Sequence, residues 1–342
     1  MRLQILLFAL WGFLWAGYFA LDGFDFGVGM LSAFLARSSD ERRLMINSIG
    51  PVWNGNEVWL IAAGAVTFAA FPNAYASIFS SFYSLLGILV AALILRGVVF
   101  DFRGELKHRH WARAWDTAFA LGSIAPAFLF GLVFGNIFRG LALGSDGFAG
   151  SALSFLNPYS LLAGLLFLAL FLHHGALWLS AKTSGDLKGR AEAAAGRTWY
   201  LLLLVGAAFA VYTGYATTLY GNYVNHPAWL AVPFATVAAV FLNKYFLLVK
   251  NDLAAFLSSA AAIVVFVFFA LAGLYPNMLP STSSGANSVT IANAAASTYA
   301  LVIIAAALII FMPLVVGYQL WVYGVFKSRL LQEEVIKDED AY

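Results

Sequence analysis

The residues best placed to do chemistry open on the run Leu21-Asp22-Gly23-Phe24-Asp25-Phe26-Gly27-Val28-Gly29, where two carboxylates and three glycines interrupt an apolar stretch. Asp22 and Asp25 stand three apart, so a helix places them on one face. An acid inside hydrocarbon is costly and is usually kept for a use. Desolvation disfavours the charged form of a carboxyl group, which suits a residue that takes up and releases protons. The plainer reading is an acid hydrogen-bonded to a neighbouring helix, where it fixes packing. Gly23 and Gly27 bracket Asp25 as a small-xxx-small pair. Such a pair either lets another backbone approach closely or lets the helix break.

A second constellation is Gly50-Pro51-Val52-Trp53-Asn54-Gly55-Asn56-Glu57-Val58-Trp59. Proline is accommodated in a helix's first turn. Asn54, Asn56 and Glu57 would then enter the membrane together, framed by tryptophans of the kind that anchor at interfaces. Asp25, Asp22, Glu57, Asn54 and Asn56 are therefore the candidates for a proton pathway, with a polar interhelical contact as the alternative. His173 and His174 are adjacent, and neighbouring helical residues point about 100° apart, so they cannot ligate one iron from opposite sides. His108, His110 and His226 are expected in loops. With no cysteine in the chain, neither a thiolate metal site nor a cysteine-held cluster is available. The expectation is that this chain alone binds no haem, metal or other cofactor. Gly131 and Gly135 read as helix packing. Walker loops, dinucleotide glycine fingerprints and H-E-x-x-H sites do not occur.

The elements that must hold these residues are membrane helices. Of 342 residues, 62% are hydrophobic and 11% charged, against about 25% charged in soluble domains, and mean hydropathy is +0.83. A net charge of +2 gives no reason to expect nucleic acid. Nine spans of about 20 apolar residues or more are expected near 4–35, 52–71, 73–99, 115–138, 158–181, 198–220, 228–248, 254–275 and 298–326. The apolar run at the N-terminus continues past residue 20 into the acidic motif, so it reads as a retained helix rather than a cleaved signal.

Basic residues follow alternate spans. Arg37, Arg42 and Arg43 follow the first; Arg96, Arg103, Lys107, Arg109 and Arg113 the third; Lys182, Lys188, Arg190 and Arg197 the fifth. Lys244 and Lys250 flank the gap after the seventh, and Lys327, Arg329 and Lys337 follow the ninth, leaving only Arg2 and Arg139 on the other side. The positive-inside rule then puts the N-terminus outside and the C-terminus in the cytoplasm of a single polytopic unit spanning 1–342. The acidic tail Glu333–Asp340 reads as a solvated end.

At these residues the chain resembles a known family. Asp22-Gly23-Phe24-Asp25-Phe26-Gly27-Val28-Gly29-Met30 is similar to the hallmark of subunit II of cytochrome bd-type quinol oxidases. Arg42-Arg43-x-Met45-Ile46-Asn47-Ser48-Ile49, Trp53-Asn54-Gly55-Asn56-Glu57-Val58-Trp59-Leu60, Phe134-Gly135-Asn136 and Tyr275-Pro276-Asn277-Met278-x-Pro280-Ser281 agree with it. The resemblance spans almost the whole chain. It implies an all-α integral membrane protein of nine transmembrane helices, arranged as two four-helix bundles plus one peripheral helix. It implies a complex that oxidises quinol, reduces dioxygen to water and builds a proton gradient across a bacterial or archaeal cell membrane. The b- and d-type haems are then held by partner subunit I, this chain is haem-free, and a small single-helix subunit accompanies the pair. Membrane lipid, and in some relatives a structural quinone, are further implied partners. Asp25 matches the family acid placed on a proton route from the cytoplasm, with Asp22 and Glu57 as companions. Asn54 departs from relatives that carry an acid at the matching place. The competing readings are a secondary transporter with a glycine-broken first helix and a purely structural partner subunit.

Overall fold

The computed structural model describes residues 1–106, 108–144 and 147–331. The chain runs through α1 (Arg2–Leu35), α2 (Ser39–Ile49), α3 (Trp53–Ala70), α4 (Pro72–Ser81), α5 (Tyr83–Phe102), α6 (Arg109–Arg139), α7 (Pro158–Lys182), α8 (Gly185–Ala216), α9 (Tyr220–Asn225), α10 (Ala231–Leu248), α11 (Asp252–Leu274) and α12 (Thr298–Val325). Among the described residues, eight helices are long and apolar enough to cross a membrane, and the bent pair of α3 and α4 makes a ninth if counted as one span. The chain is a multi-pass helical membrane protein. Polar caps start several helices: Ser38 accepts from Glu41 N, Asn157 from Ser160 N, Asn251 from Ala254 N and Ser297 from Ala300 N. Each satisfies one of the backbone donors that a helix start leaves unpaired.

The expected third span, 73–99, is not one helix. It divides at Phe82 into α4 and α5, and α4 turns 120° away from α3. Phe71 leaves helical geometry at φ −133°, ψ 61°, and Pro72, which needs no amide partner, starts the new helix. Phe71, Ala74 and Phe82 are fully buried and anchor the two corners. On this end α4 packs against two small ribbons, β1 (Leu143–Gly144) with β2 (Gly147–Phe148) and β3 (Asn277–Leu279) with β4 (Val289–Thr290). Leu141 N donates to Pro280 O at 2.9 Å and Thr282 N to Leu141 O at 2.8 Å, tying the two loops into one cap. The acidic tail lies outside the described residues.

α1 is the central element, packed against α3, α6, α7 and α11. It is unbroken from Arg2 to Leu35, which corrects the glycine-broken helix of the transporter reading. The glycines instead permit contact: a methyl group on Gly27 would overlap the Phe171 carbonyl and lie 2.7 Å from Gly175 Cα. Gly131 and Gly135 do the same for α6 against the Ala163–Gly164 and Ser160 backbone of α7. α12 lies at the rim on α1 and α3. It buries only Leu301, Ala305 and Gln319.

Candidate functional site

Four helices bring polar side chains to one buried place. α1 supplies Tyr18, Asp22 and Asp25; the first turn of α3 supplies Asn56 and Glu57; α5 supplies Arg96; and α12 supplies Gln319 and Tyr323. Asp22, Asp25 and Asn56 have no exposed surface, and the Arg96 side chain is 1% exposed. Glu57 is the opening of the group, with 25% of its side chain exposed. Arg96 reaches this depth because Gly122 of α6 lies against its backbone: a methyl there would be 2.9 Å from Arg96 N.

The group has two linked halves. In the first, Arg96 Nη2 donates to Asp22 Oδ1 at 2.7 Å and to Glu57 Oε1 at 2.5 Å. The guanidinium carbon also sits 4.3 Å from the centre of the Phe26 ring, a cation–π contact strengthened by exclusion of water. One cation thus joins two acids from different helices. In the second, Asn56 Nδ2 donates to Asp25 Oδ2 at 2.8 Å and to Leu21 O at 3.1 Å. Asn56 Oδ1 accepts from Gln319 Nε2 at 2.8 Å and from Tyr323 Oη at 2.9 Å. Tyr18 Oη, Asp22 Oδ2, Asp25 Oδ1 and Arg96 Nε and Nη1 are buried without a well-formed hydrogen bond among the described residues. A polar lining of this kind is what internal water needs to bind.

Of the residues singled out from the sequence, Asp22, Asp25, Asn56 and Glu57 are brought together, and Asn54 is not. Asn54 is exposed, since it lies two residues, about 200° around the helix, from Asn56. Arg96 was grouped with the cytoplasmic basic residues. It lies instead inside α5, ion-paired. The available signal was a lone cation within the apolar run Leu85–Phe100, seven residues before Arg103. Gln319 and Tyr323 were missed because a single amide and a phenol in an apolar helix carry no periodic signal.

The two membrane histidines are fully occupied. His173 Nε2 donates to Asn243 Oδ1 at 2.8 Å, and its Nδ1 accepts from Thr198 Oγ1 at 3.0 Å. Asn243 Nδ2 donates to Ala255 O, which turns its oxygen towards the histidine. His174 Nε2 donates to Ala20 O at 3.0 Å, and Nδ1 pairs with the Ser259 hydroxyl while the ring stacks on Phe256. No ring nitrogen is left to ligate iron. Among the described residues no group of three or more His, Cys, Asp or Glu could hold a metal ion. His173→Leu and His174→Leu are therefore expected to lower the thermal stability of the assembled complex without changing the positions of its haem bands. A visible spectrum that loses a band at normal protein content would overturn this.

The sequence profile of the cytochrome bd terminal oxidase subunit II family matches residues 3–326. The chain belongs to that family. It is 36% identical over 336 residues to the cytochrome bd ubiquinol oxidase subunit 2 of Bacillus subtilis, covering 97% of this chain and 98% of the relative. It is 31% identical over 367 residues to the cytochrome bd-I ubiquinol oxidase subunit 2 of Escherichia coli, covering 97% of each. In fold it resembles a chain in the structure of the bd oxidase from Geobacillus thermodenitrificans, with a TM-score of 0.74 at 19% identity, over 95% of this chain and 99% of that one. As a bd oxidase subunit II it is a multi-pass protein of a bacterial plasma membrane. It is a haem-free, accessory subunit of an oxidoreductase.

Proposed function

We propose that this subunit II supports a haem-bearing subunit I in oxidising quinol and reducing dioxygen to water, and that it supplies a proton route from the cytoplasm through Asp25. The observation that carries the route is the buried group Glu57–Arg96–Asp22 beside Asp25–Asn56, five residues of which Glu57 is the one with appreciable exposed surface. Protons enter near Glu57, pass the buried polar atoms of Arg96 and Asp22, and reach Asp25. The orientation that this requires, N-terminus outside and C-terminus cytoplasmic, is supported by the basic residues that follow alternate spans. Asn54, exposed and uncharged, takes no part, so the route leans on Glu57 and Asp25.

In this reading the spans form two four-helix bundles. α1, α3, α5 and α6 make one and α7, α8, α10 and α11 the other, with α12 peripheral. The pairing of α5 with α6, α7 with α8 and α10 with α11 supports the division. A single-helix subunit, membrane lipid and a quinone complete the expected partners.

The test is Asp25→Asn in the assembled complex. Turnover and the proton uptake that accompanies it should fall by about tenfold or more, in line with the loss of one positioned proton-transfer group, at normal haem content. Glu57→Gln should have a smaller effect of the same sign. Normal turnover and proton uptake in Asp25→Asn would end the relay reading, and loss of haem would assign these acids a structural role.

A further inference from the structure

A side-chain amide can make four hydrogen bonds, two as donor and two as acceptor, and Asn56 makes all four. Its NH2 group faces α1, donating to Asp25 Oδ2 and Leu21 O; its oxygen faces α12, accepting from Gln319 and Tyr323. The two α12 donors lie 263 and 267 residues from Asn56 in the chain. Were the amide turned over, its oxygen would oppose the Asp25 carboxylate and the Leu21 carbonyl, and the hydrogen bonds that Gln319 and Tyr323 donate to it would be lost. Both α12 groups thus hold the oxygen end of the amide, and the α1 acceptors hold its NH2 end towards Asp25.

The rest of α12 makes this its notable contact. Gln319 is the one polar residue among the three that the helix buries. The chain just past the helix is pinned on the same side of the molecule. Lys182 Nζ donates to Phe326 O and, at 3.2 Å, to Ser328 O. Leu330 N donates to Lys182 O at 2.8 Å, and Arg329 pairs with Asp252 at 2.7 Å. The Tyr323 ring is also held against Trp178 and Phe24. The charged or titratable groups facing Asp25 are Asp22 of α1, Arg96 of α5 and Tyr323 of α12, with Tyr18 and Glu57 on the far side of Asp22 and Arg96, and His174 of α7 engaged with Ala20 O and Ser259.

We propose that the last helix is a positioning element for the acid: Gln319 and Tyr323 lock the Asn56 amide so that its N–H group always faces Asp25. This rests on the reading of Asp25 as a proton relay. The two donors are redundant, which makes a specific pattern. Gln319→Leu and Tyr323→Phe each leave one donor on the Asn56 oxygen, and each should keep turnover within about twofold of the parent complex. Together they release the oxygen end of the amide, and turnover with its coupled proton uptake should fall about tenfold, the size of one buried hydrogen bond lost. Haem content and the KM for quinol should not move. In an Asp25→Asn background the same pair of changes should add nothing further.

Each outcome decides. A double variant that equals the product of two mild singles, or one that is normal while Asp25→Asn is impaired, overturns the positioning role and leaves the relay standing. A normal Asp25→Asn complex removes the relay, and an impaired double variant beside it shows that α12 acts elsewhere. An added loss in the Asp25→Asn background also sends the α12 effect away from Asp25. Loss of haem in the double variant assigns α12 to assembly. In that event Asn56→Leu, close to asparagine in volume, carries the same comparison: turnover unchanged from the parent complex overturns the proposal.

Discussion

Arg96→Met is expected to destabilise the assembled complex by about 3–5 kcal/mol, enough to lower its yield sharply. The cost comes from what is left behind, because removing one partner of a buried ion pair strands the other charge. Here one guanidinium serves two acids, Asp22 at 2.7 Å and Glu57 at 2.5 Å, and among the described residues no other cation pairs with either of them. The pair Asp22→Asn with Glu57→Gln, added to Arg96→Met, should recover most of the loss, since neutral groups of similar shape often replace a buried ion set at little net cost. Heating the detergent-solubilised complex and following haem release against temperature measures both. An Arg96→Met complex that melts with the parent would mean the two acids do not depend on this cation.

Gly27→Val should be at least as damaging, with an expected loss above about 4 kcal/mol, the range reserved for identifiable steric failures. A side chain there collides with backbone, which cannot turn aside as a flexible side chain can. The obstacles are Phe171 O and the Gly175 backbone of α7, and the Gly175 position is equally closed by Gly27. α1 would have to leave α7, opening the centre of the molecule. Gly64→Ala, where nothing lies within 4 Å of the added methyl, is the control and should assemble normally. Membrane levels of the subunit and haem content of the purified complex distinguish the two. A Gly27→Val complex of normal yield would show that the helices separate here at little cost.

How much of this was legible in advance follows from which forces are local. A bilayer leaves backbone polar groups no partner but their own helix, so apolar length alone announced α1, α7, α11 and α12 to within two residues, while α6 starts six residues before its expected span. The run around Asp25 and the run around Asn56 and Glu57 stood out because acids and amides inside apolar stretches are costly, and cost is visible without a structure. The same runs carried the family. Beyond that, local signals misled or fell silent. Apolar composition showed the break at Pro72 but not the one at Phe82, where α4 ends and α5 begins around a fully buried ring. Arg96 looked like a charge at the membrane surface because charge near a span's end usually is one, whereas close packing of α5 on Gly122 draws it inside.

What the sequence determined by itself is therefore the class of the molecule, its spans and the identity of its acids, since hydropathy and helix period act over a few turns. The tertiary structure decided the partners: Arg96 to Asp22 across 74 residues, and Gln319 to Asn56 across 263. Whether Asn54 or Asn56 faces the acids was decided there as well, by how α3 is rotated against α1. A hydrogen bond is set by distances of about 3 Å, and in a helical membrane protein those distances are fixed only when whole helices meet at their glycines.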